Sequence, residues 1–404
     1  MNNYRFHLLG LVHLPTHKKF TSCAFTQKNR KLAKMLINLG YEVFFYGAEG
    51  SDIEEYCHYS KNLHFIQTHT LDDIRKDYGT GWNLDTEPSI GYDWRNTDFK
   101  HDFNGPKKPS TLKFYVTATE YINKIKRPDD FLLCTQGYYH KPIADAVKLF
   151  LTCESGIGYR GSVKGWWRSF ESSYIQNYTY GYEGQLACIN GSYYDRVIPN
   201  YFDPEDIKYS DKKKDYYLFI GRIIKRKGIL TAYLATKAIG AKLIIAGQGG
   251  RIQPDGSLKD EDPSEFTMAH DSDWEYIGFA DVEKRKKLMA HAKAVFVPTE
   301  YLEIFGGVHI EAMLSGTPVL TTDFGVFPQT VINGVNGYRC NTLQDFVDAM
   351  SMTKYFIPYK VRDSAKQYLM DSVAFEYQKW FDDLYNVYES SIDPNKKGWS
   401  RVMI

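Results

Sequence analysis

Tyr216-Tyr217-Leu218-Phe219-Ile220-Gly221-Arg222-Ile223-Ile224-Lys225-Arg226-Lys227-Gly228 is the stretch that decides the fold. An apolar run ends on glycine and a basic loop follows. Ile229–Ile239 then reads as a helix, and a second apolar run, Ala241–Gly247, ends in Gln248-Gly249-Gly250. Strand, helix and strand within so few residues form a βαβ unit, which requires a parallel sheet. The N-terminus has the same order. Phe6–Val12 reads as a strand, Ala24–Leu39 as a helix with Leu32, Met35, Leu36 and Leu39 at helical spacing, Gly40 as its C-cap, and Glu42–Tyr46 as the next strand. The chain is therefore expected to be α/β, with two Rossmann-like domains facing each other.

A length of 404 residues agrees with two domains. The polar stretch Pro204–Lys214, with its Asp-Lys-Lys-Lys-Asp run, reads as the linker. This divides the chain into 1–204, 205–375 and a terminal helix, 376–404, pinned to the body by Phe375, Trp380, Phe381, Leu384 and Tyr385. With 50 basic and 49 acidic residues, net charge +1 argues against a strongly electrostatic nucleic-acid binder. The six cysteines are scattered with no C-x-x-C pair, so no zinc site or disulfide framework is expected, and a reducing, cytoplasmic setting is. No stretch approaches the apolar length of a membrane span, which leaves peripheral membrane contact open.

Within the first half, the loop Lys18–Ala24 lies where such domains hold phosphate, but it lacks glycine; Thr21 and Ser22 are the hydroxyls available there. Tyr78–Pro109 reads as a long ordered insertion, followed by a helix capped at Ser110. Phe131–Cys134 and Phe150–Cys153 read as strands. After the second comes Glu154-Ser155-Gly156-Ile157-Gly158-Tyr159, a carboxylate placed where open α/β sheets bind ligands. His140 is a second candidate for that crevice. Tyr159, Arg160, Trp166 and Trp167 are candidates for stacking on an acceptor, with Arg168 adding charge.

In the second half, Arg222 and Lys227 flank a strand-to-helix loop and are placed to converge on one diphosphate. Beyond the strand Ala294–Val297 lies Glu303-Ile304-Phe305-Gly306-Gly307-Val308-His309-Ile310-Glu311. Two carboxylates bracket a glycine pair at a loop-to-helix junction. The glycines allow close backbone approach and the helix start offers free amides, so Glu303 and Glu311 are placed to grip hydroxyls on either side of a bound phosphate. A nucleotide-sugar has that succession of groups.

Gly221-Arg222 with Lys227-Gly228, Glu303-x-Phe305-Gly306, Glu311-Ala312-Met313, Gly316-x-Pro318-Val319 and Asn336-Gly337 resemble the retaining glycosyltransferases of family 4, which have the GT-B fold. The match is specific over Tyr216–Tyr338; over the first half it rests on Gly40-Tyr41-Glu42-Val43 and Ile198-Pro199-Asn200. The resemblance implies a C-terminal helix crossing back to the N-terminal domain and metal-independent transfer of a sugar, with retention, from a nucleotide-sugar to an acceptor hydroxyl. It implies that Arg222 and Lys227 neutralise the donor diphosphate and Glu303 meets the donor sugar. Gly221, Phe305, Gly306 and Gly307 frame the donor, Glu311 binds the ribose, and the backbone at Ile277 and Gly278 meets the base. No cofactor or metal is implied; the donor is a co-substrate, UDP-sugar ahead of GDP- or ADP-sugar. Cys23-Ala24 replaces the usual N-terminal glycine pair and Glu154 replaces a usual histidine, which leaves acceptor activation open, with Glu154 and His140 as candidates. Glycan, lipid-linked sugar, protein and modified nucleobase all stay open as acceptors. So do a sugar-nucleotide epimerase, a phosphorylase and an inactive sugar- or nucleotide-binding protein on the same scaffold.

Overall fold

A computed structural model describes residues 4–20, 23–78, 108–184, 193–260 and 265–392. Thr21, Ser22 and nearly all of the expected insertion between Tyr78 and Pro109 lie outside them. The chain divides into two compact units, Met1–Pro199 with Met370–Ile404, and Asn200–Leu369. Both crossings fall a few residues before the placements at 204 and 375.

The first unit is built on β1 (Arg5–Leu9), β2 (Glu42–Ala48), β3 (Leu63–His69), β4 (Phe131–Cys134), β5 (Leu151–Ile157), β6 (Trp167–Phe170) and β7 (Arg196–Val197). They form one parallel sheet in the order β3-β2-β1-β4-β5-β6-β7. Every residue of β1, β4 and β5 is buried, as expected where a parallel sheet is covered on both faces. The helix Ala24–Asn38 ends as predicted: Gly40 adopts φ +84°, and Tyr41 N donates to Leu36 O at 3.1 Å while Gly40 N donates to Ile37 O at 2.9 Å. Glycine is favoured there because a Cβ is disfavoured in the left-handed region.

Three local expectations need correction. The helix expected from Ser110 begins at Pro109, with Lys108 as its N-cap, because the N–H and hydroxyl of Ser110 both bond to the carboxylate of Asp77. β5 continues to Ile157, so Glu154 lies inside the strand and not beyond its end. The terminal helix is Met370–Ile392, and Phe375 lies on its exposed face. Tyr377, Trp380, Phe381 and Leu384 form the buried stripe; Phe381 packs 4.8 Å from Phe6 and 5.2 Å from Phe131, and Trp380 Nε1 donates to Tyr194 O at 3.0 Å.

The second unit repeats the strand order. Its strands are β8 (Tyr217–Ile220), β9 (Leu243–Ala246), β10 (Arg251–Ile252), β11 (Leu258–Lys259), β12 (Thr267–Met268), β13 (Trp274–Tyr276), β14 (Val295–Val297), β15 (Val319–Thr322) and β16 (Gly337–Cys340). Six of them form a parallel sheet, β13-β9-β8-β14-β15-β16. β10, β11 and β12 form a separate antiparallel meander that the sequence pattern did not reveal. In each unit the strand order reverses beside the first strand, and open α/β sheets bind ligands at the carboxyl ends around such a reversal. In the second unit that point lies between β8 and β14.

Candidate functional site

The loop leaving β8 is held against the exit of β14. Gly228, at φ +75°, begins the helix Ile229–Ala238, and a Cβ on it would stand 1.8 Å from the carbonyl oxygen of Pro298. Glu300 N donates to Arg226 O at 2.8 Å, tying the same two segments together. This close approach delivers Lys227 to the Glu303 side chain, with Nζ 3.1 Å from Oε2.

Tyr301 completes the cluster. Its hydroxyl accepts from Lys227 Nζ and donates to the same Oε2 of Glu303. The Lys227 ammonium lies 4.8 Å and the Arg226 guanidinium 5.5 Å from the Tyr301 ring centroid. Burial, reinforced by the Glu303 charge, raises the Tyr301 pKa, so the hydroxyl stays protonated and keeps donating. Sequence reasoning did not single out Tyr301. Arg222 stands half-buried at the exit of β8, where its charge acts on the same hydroxyl.

Glu303 is positioned by glycines on two sides. A Cβ on Gly306, at φ +71°, would lie 2.8 Å from Glu303 Cγ, and one on Gly325 would lie 2.8 Å from both the N and the O of Glu303. Val326 N donates to Glu303 O at 3.0 Å. The helix that follows runs Gly307–Leu314 with Gly306 as an N-cap that offers no side chain. Phe305 is buried and packs on Tyr368 and His309, so it shapes the site from beneath. His309 is fully buried, bonds Thr330 Oγ1 through Nε2 at 2.9 Å, and is kept neutral by burial, its pKa lowered to about 3. Glu311 is ion-paired, its Oε1 3.2 Å from Arg285 Nη2.

Gly221, Ile277 and Gly278 are brought together at the other side of β8. Gly221 N donates to Ala246 O at 3.0 Å, Gly247 N to Gly278 O at 2.8 Å and Ile277 N to Ile245 O at 2.9 Å. Gly221, Ile277 and Gly278 thus lie at the carboxyl ends of β8 and β13, in the sheet whose strand β14 leads to Glu303.

In the first unit, Glu154 is fully buried and accepts from Tyr159 OH and from Val163 N, both at 2.7 Å. Burial pushes its pKa up to about 7, against the opposing pull of those hydrogen bonds. His140 is also fully buried, and burial lowers its pKa to about 4 and keeps the ring neutral, against the opposing pull of Gly10 O; Nδ1 accepts from Thr135 N at 3.2 Å and Nε2 bonds Gly10 O at 3.1 Å. Both nitrogens are thereby engaged within the fold. The acceptor candidates do not converge. Tyr159 and exposed Arg160 follow the carboxyl end of β5, whereas Trp166 and Trp167 lie at the amino end of β6. Trp167 Nε1 donates to Phe150 O at 3.0 Å, and Trp166 lines an open pocket of about 480 Å³ with Asp145, Lys148 and Thr152. Arg168 is buried between Asp195, at 2.8 Å, and Glu183, so it is not a surface charge. Among the described residues no group of His, Cys, Asp and Glu side chains is arranged to hold a metal, and no helix is long and apolar enough to cross a membrane.

Residues 203–351 match the family model described as glycosyl transferases group 1. An uncharacterized glycosyltransferase of Methanocaldococcus jannaschii is 29% identical over 174 residues, which are 39% of this chain and 42% of that protein. Glycogen synthase of Mycobacterium tuberculosis is 31% identical over 128 residues, 30% of this chain and 29% of that one. The chain thus covers less than half the length of these relatives. Over nearly the whole chain the fold is that of solved GT-B structures. AviGT4, a glycosyltransferase involved in avilamycin A biosynthesis, superposes with a TM-score of 0.60 at 19% identity, covering 95% of this chain and 98% of that chain. Sucrose-phosphate synthase from Thermosynechococcus elongatus gives 0.62 at 15% identity, covering 95% and 99%. Anabaena HepE in complex with UDP-glucose gives 0.57 at 15% identity, covering 94% and 99%.

Proposed function

We propose, from the match of residues 203–351 to the model of glycosyl transferases group 1, that the protein transfers a sugar from a nucleotide-sugar, UDP-sugar ahead of GDP- or ADP-sugar, to an acceptor hydroxyl. The observation that carries this reading is the Lys227–Tyr301–Glu303 cluster, seated where the strand order of that domain reverses. A cation and a carboxylate that share the Tyr301 hydroxyl can separate when a donor arrives. Lys227, with Arg222, turns to the diphosphate, and Glu303 accepts hydrogen bonds from the sugar hydroxyls. Two fixed cations then stabilise the charge that develops as the bond between the anomeric carbon and the phosphate oxygen breaks.

Retention without a covalent intermediate fits this site. A double displacement would need a carboxylate nucleophile, and Glu154 is fully buried with both oxygens already hydrogen-bonded. In the front-face route the acceptor oxygen bonds the anomeric carbon on the side the diphosphate leaves. The acceptor proton passes to a phosphate oxygen, and the nucleoside diphosphate departs. In this reading Arg222 and Lys227 supply the positive charge that a divalent metal would otherwise bring to the diphosphate. The scattered cysteines, with no C-x-x-C pair, are what a protein of a reducing, cytoplasmic setting would carry. The test is a panel of UDP-, GDP- and ADP-sugars: one donor should raise the melting temperature and be slowly hydrolysed without acceptor. If no donor does either, the reading fails.

A further inference from the structure

Gln248 stands at the carboxyl end of β9, between the two features that frame the donor side of this sheet. Ile223 N donates to Gln248 O at 2.7 Å, which sets the residue beside the Arg222 loop. Its neighbour Gly247 receives Tyr276 OH at 2.8 Å and donates to Gly278 O, which sets it beside the exit of β13. The flanking glycines make this seat available: Gly247, at φ +147°, would carry a Cβ 1.6 Å from Gly221 O, and Gly249 adopts φ +90°. Gln248 is only 6% exposed, yet its Nε2 has no hydrogen-bond partner among the described residues. Leaving a buried amide donor unpaired is unfavourable, so such an orphan in a folded protein calls for an explanation.

The chemistry of the rim divides by strand. On the β14 side stand a carboxylate and a lysine, suited to hydroxyls and phosphate. On the β9 side the buried group is a neutral amide with an unpartnered N–H, next to backbone carbonyls and Tyr276; charge reaches this side only from its edges, at the Arg222 loop and at Lys284, whose Nζ lies 3.4 Å from Ile277 O. A nucleoside is the uncharged end of a nucleotide-sugar, and its base presents acceptor atoms at its edge. We propose that Gln248 recognises the nucleoside of the donor, Nε2 donating to an acceptor on the base. The proposal rests on the nucleotide-sugar reading and names which residue selects the nucleotide.

The test is calorimetric binding of UDP, GDP, ADP and inorganic pyrophosphate to the full chain and to Gln248→Met, which keeps the length and removes the donor, with Gln248→Glu as a second variant. The tightest nucleoside diphosphate should weaken about fivefold or more in both variants, the weight of one hydrogen bond. Pyrophosphate affinity should not change in Gln248→Met, which adds no charge. The melting temperature of Gln248→Met without ligand should be unchanged or higher, since an unpaired buried donor has been removed. Equal losses for nucleotide and pyrophosphate would make Gln248 a phosphate contact and overturn the proposal. Unchanged nucleotide affinity overturns it too, as does a melting temperature lowered in both variants, which marks a structural role. If the unmodified chain binds no nucleoside diphosphate, the donor reading falls and this proposal with it.

Discussion

Tyr301 joins the expected diphosphate cation to the expected sugar-binding acid through one hydroxyl. Removing that hydroxyl should leave Lys227 and Glu303 chemically intact but free to turn. For Tyr301→Phe we expect kcat/KM for the donor to fall about ten- to a hundredfold, the range for losing a hydrogen bond to charged groups, about 1.5–3 kcal/mol. Little change in melting temperature should accompany it; steady-state kinetics beside thermal melts check this, and unchanged kinetics would make Tyr301 mere packing. Glu154 gives a second prediction at this scale. Its pKa rises from 4.5 unfolded to about 7 folded, so its contribution to stability is present below pH 4.5 and is lost as pH climbs through 7. Glu154→Gln carries no charge at either pH. Relative to the unmodified protein, the variant should gain up to roughly 3 kcal/mol between pH 5 and pH 8, the equivalent of that shift. Denaturant unfolding at the two pH values measures it, and a gap that does not move with pH would show that Glu154 does not titrate in this range. Neither Tyr301 nor Gln248 was legible in the sequence. One is a tyrosine among 32, and the other is a glutamine whose meaning lies in an absent partner.

At the scale of elements, the βαβ units were legible because their strands are unbroken apolar runs, and glycine marks the turns. What the pattern missed has physical causes. The strands of the meander β10–β12 have two residues each and pair one charged or polar with one apolar side chain, so no periodicity can develop. β5 looked shorter than it is because Glu154, Ser155 and Gly156 are polar or small, although all are buried. Burial of a polar strand end is set by its tertiary partners, here Tyr159 and Val163, and local sequence does not encode that. The turn at Gly228 was legible as a glycine, but its tightness was not. Gly228→Ala places a Cβ 1.8 Å from Pro298 O and must shift backbone, whereas Gly240→Ala, at a similar φ of +62°, meets nothing within 4 Å. Both substitutions incur left-handed strain of about 1 kcal/mol. Gly228→Ala should lower the melting temperature more and also weaken donor binding by displacing Lys227, while Gly240→Ala should leave binding alone. Equal effects from the two would mean that the approach to Pro298 is not needed.

At the scale of the molecule, the sequence gives two similar halves in chain order, but the compact units do not follow chain order. The last helix, Met370–Ile392, belongs to the first unit, although it follows directly from the second. Its buried stripe explains the assignment, since Tyr377, Trp380, Phe381 and Leu384 fill space beside Phe6, Phe131 and Tyr194. Burying each large apolar side chain contributes about 1.5–3 kcal/mol, so four contribute roughly 6–12 kcal/mol, as much as the whole stability of many domains. A chain ending at Leu369 should therefore lose the fold of its first unit while residues 200–369, whose sheet and two core clusters lie within that range, stay folded. Limited proteolysis of the 1–369 chain should leave a resistant fragment beginning near Asn200, and that fragment should still bind the donor nucleotide, because Arg222, Lys227, Tyr301, Glu303 and Glu311 all lie in it. Equal resistance of both halves would show that the terminal helix is dispensable. Resistance without nucleotide binding would show that the donor site needs groups from outside residues 200–369.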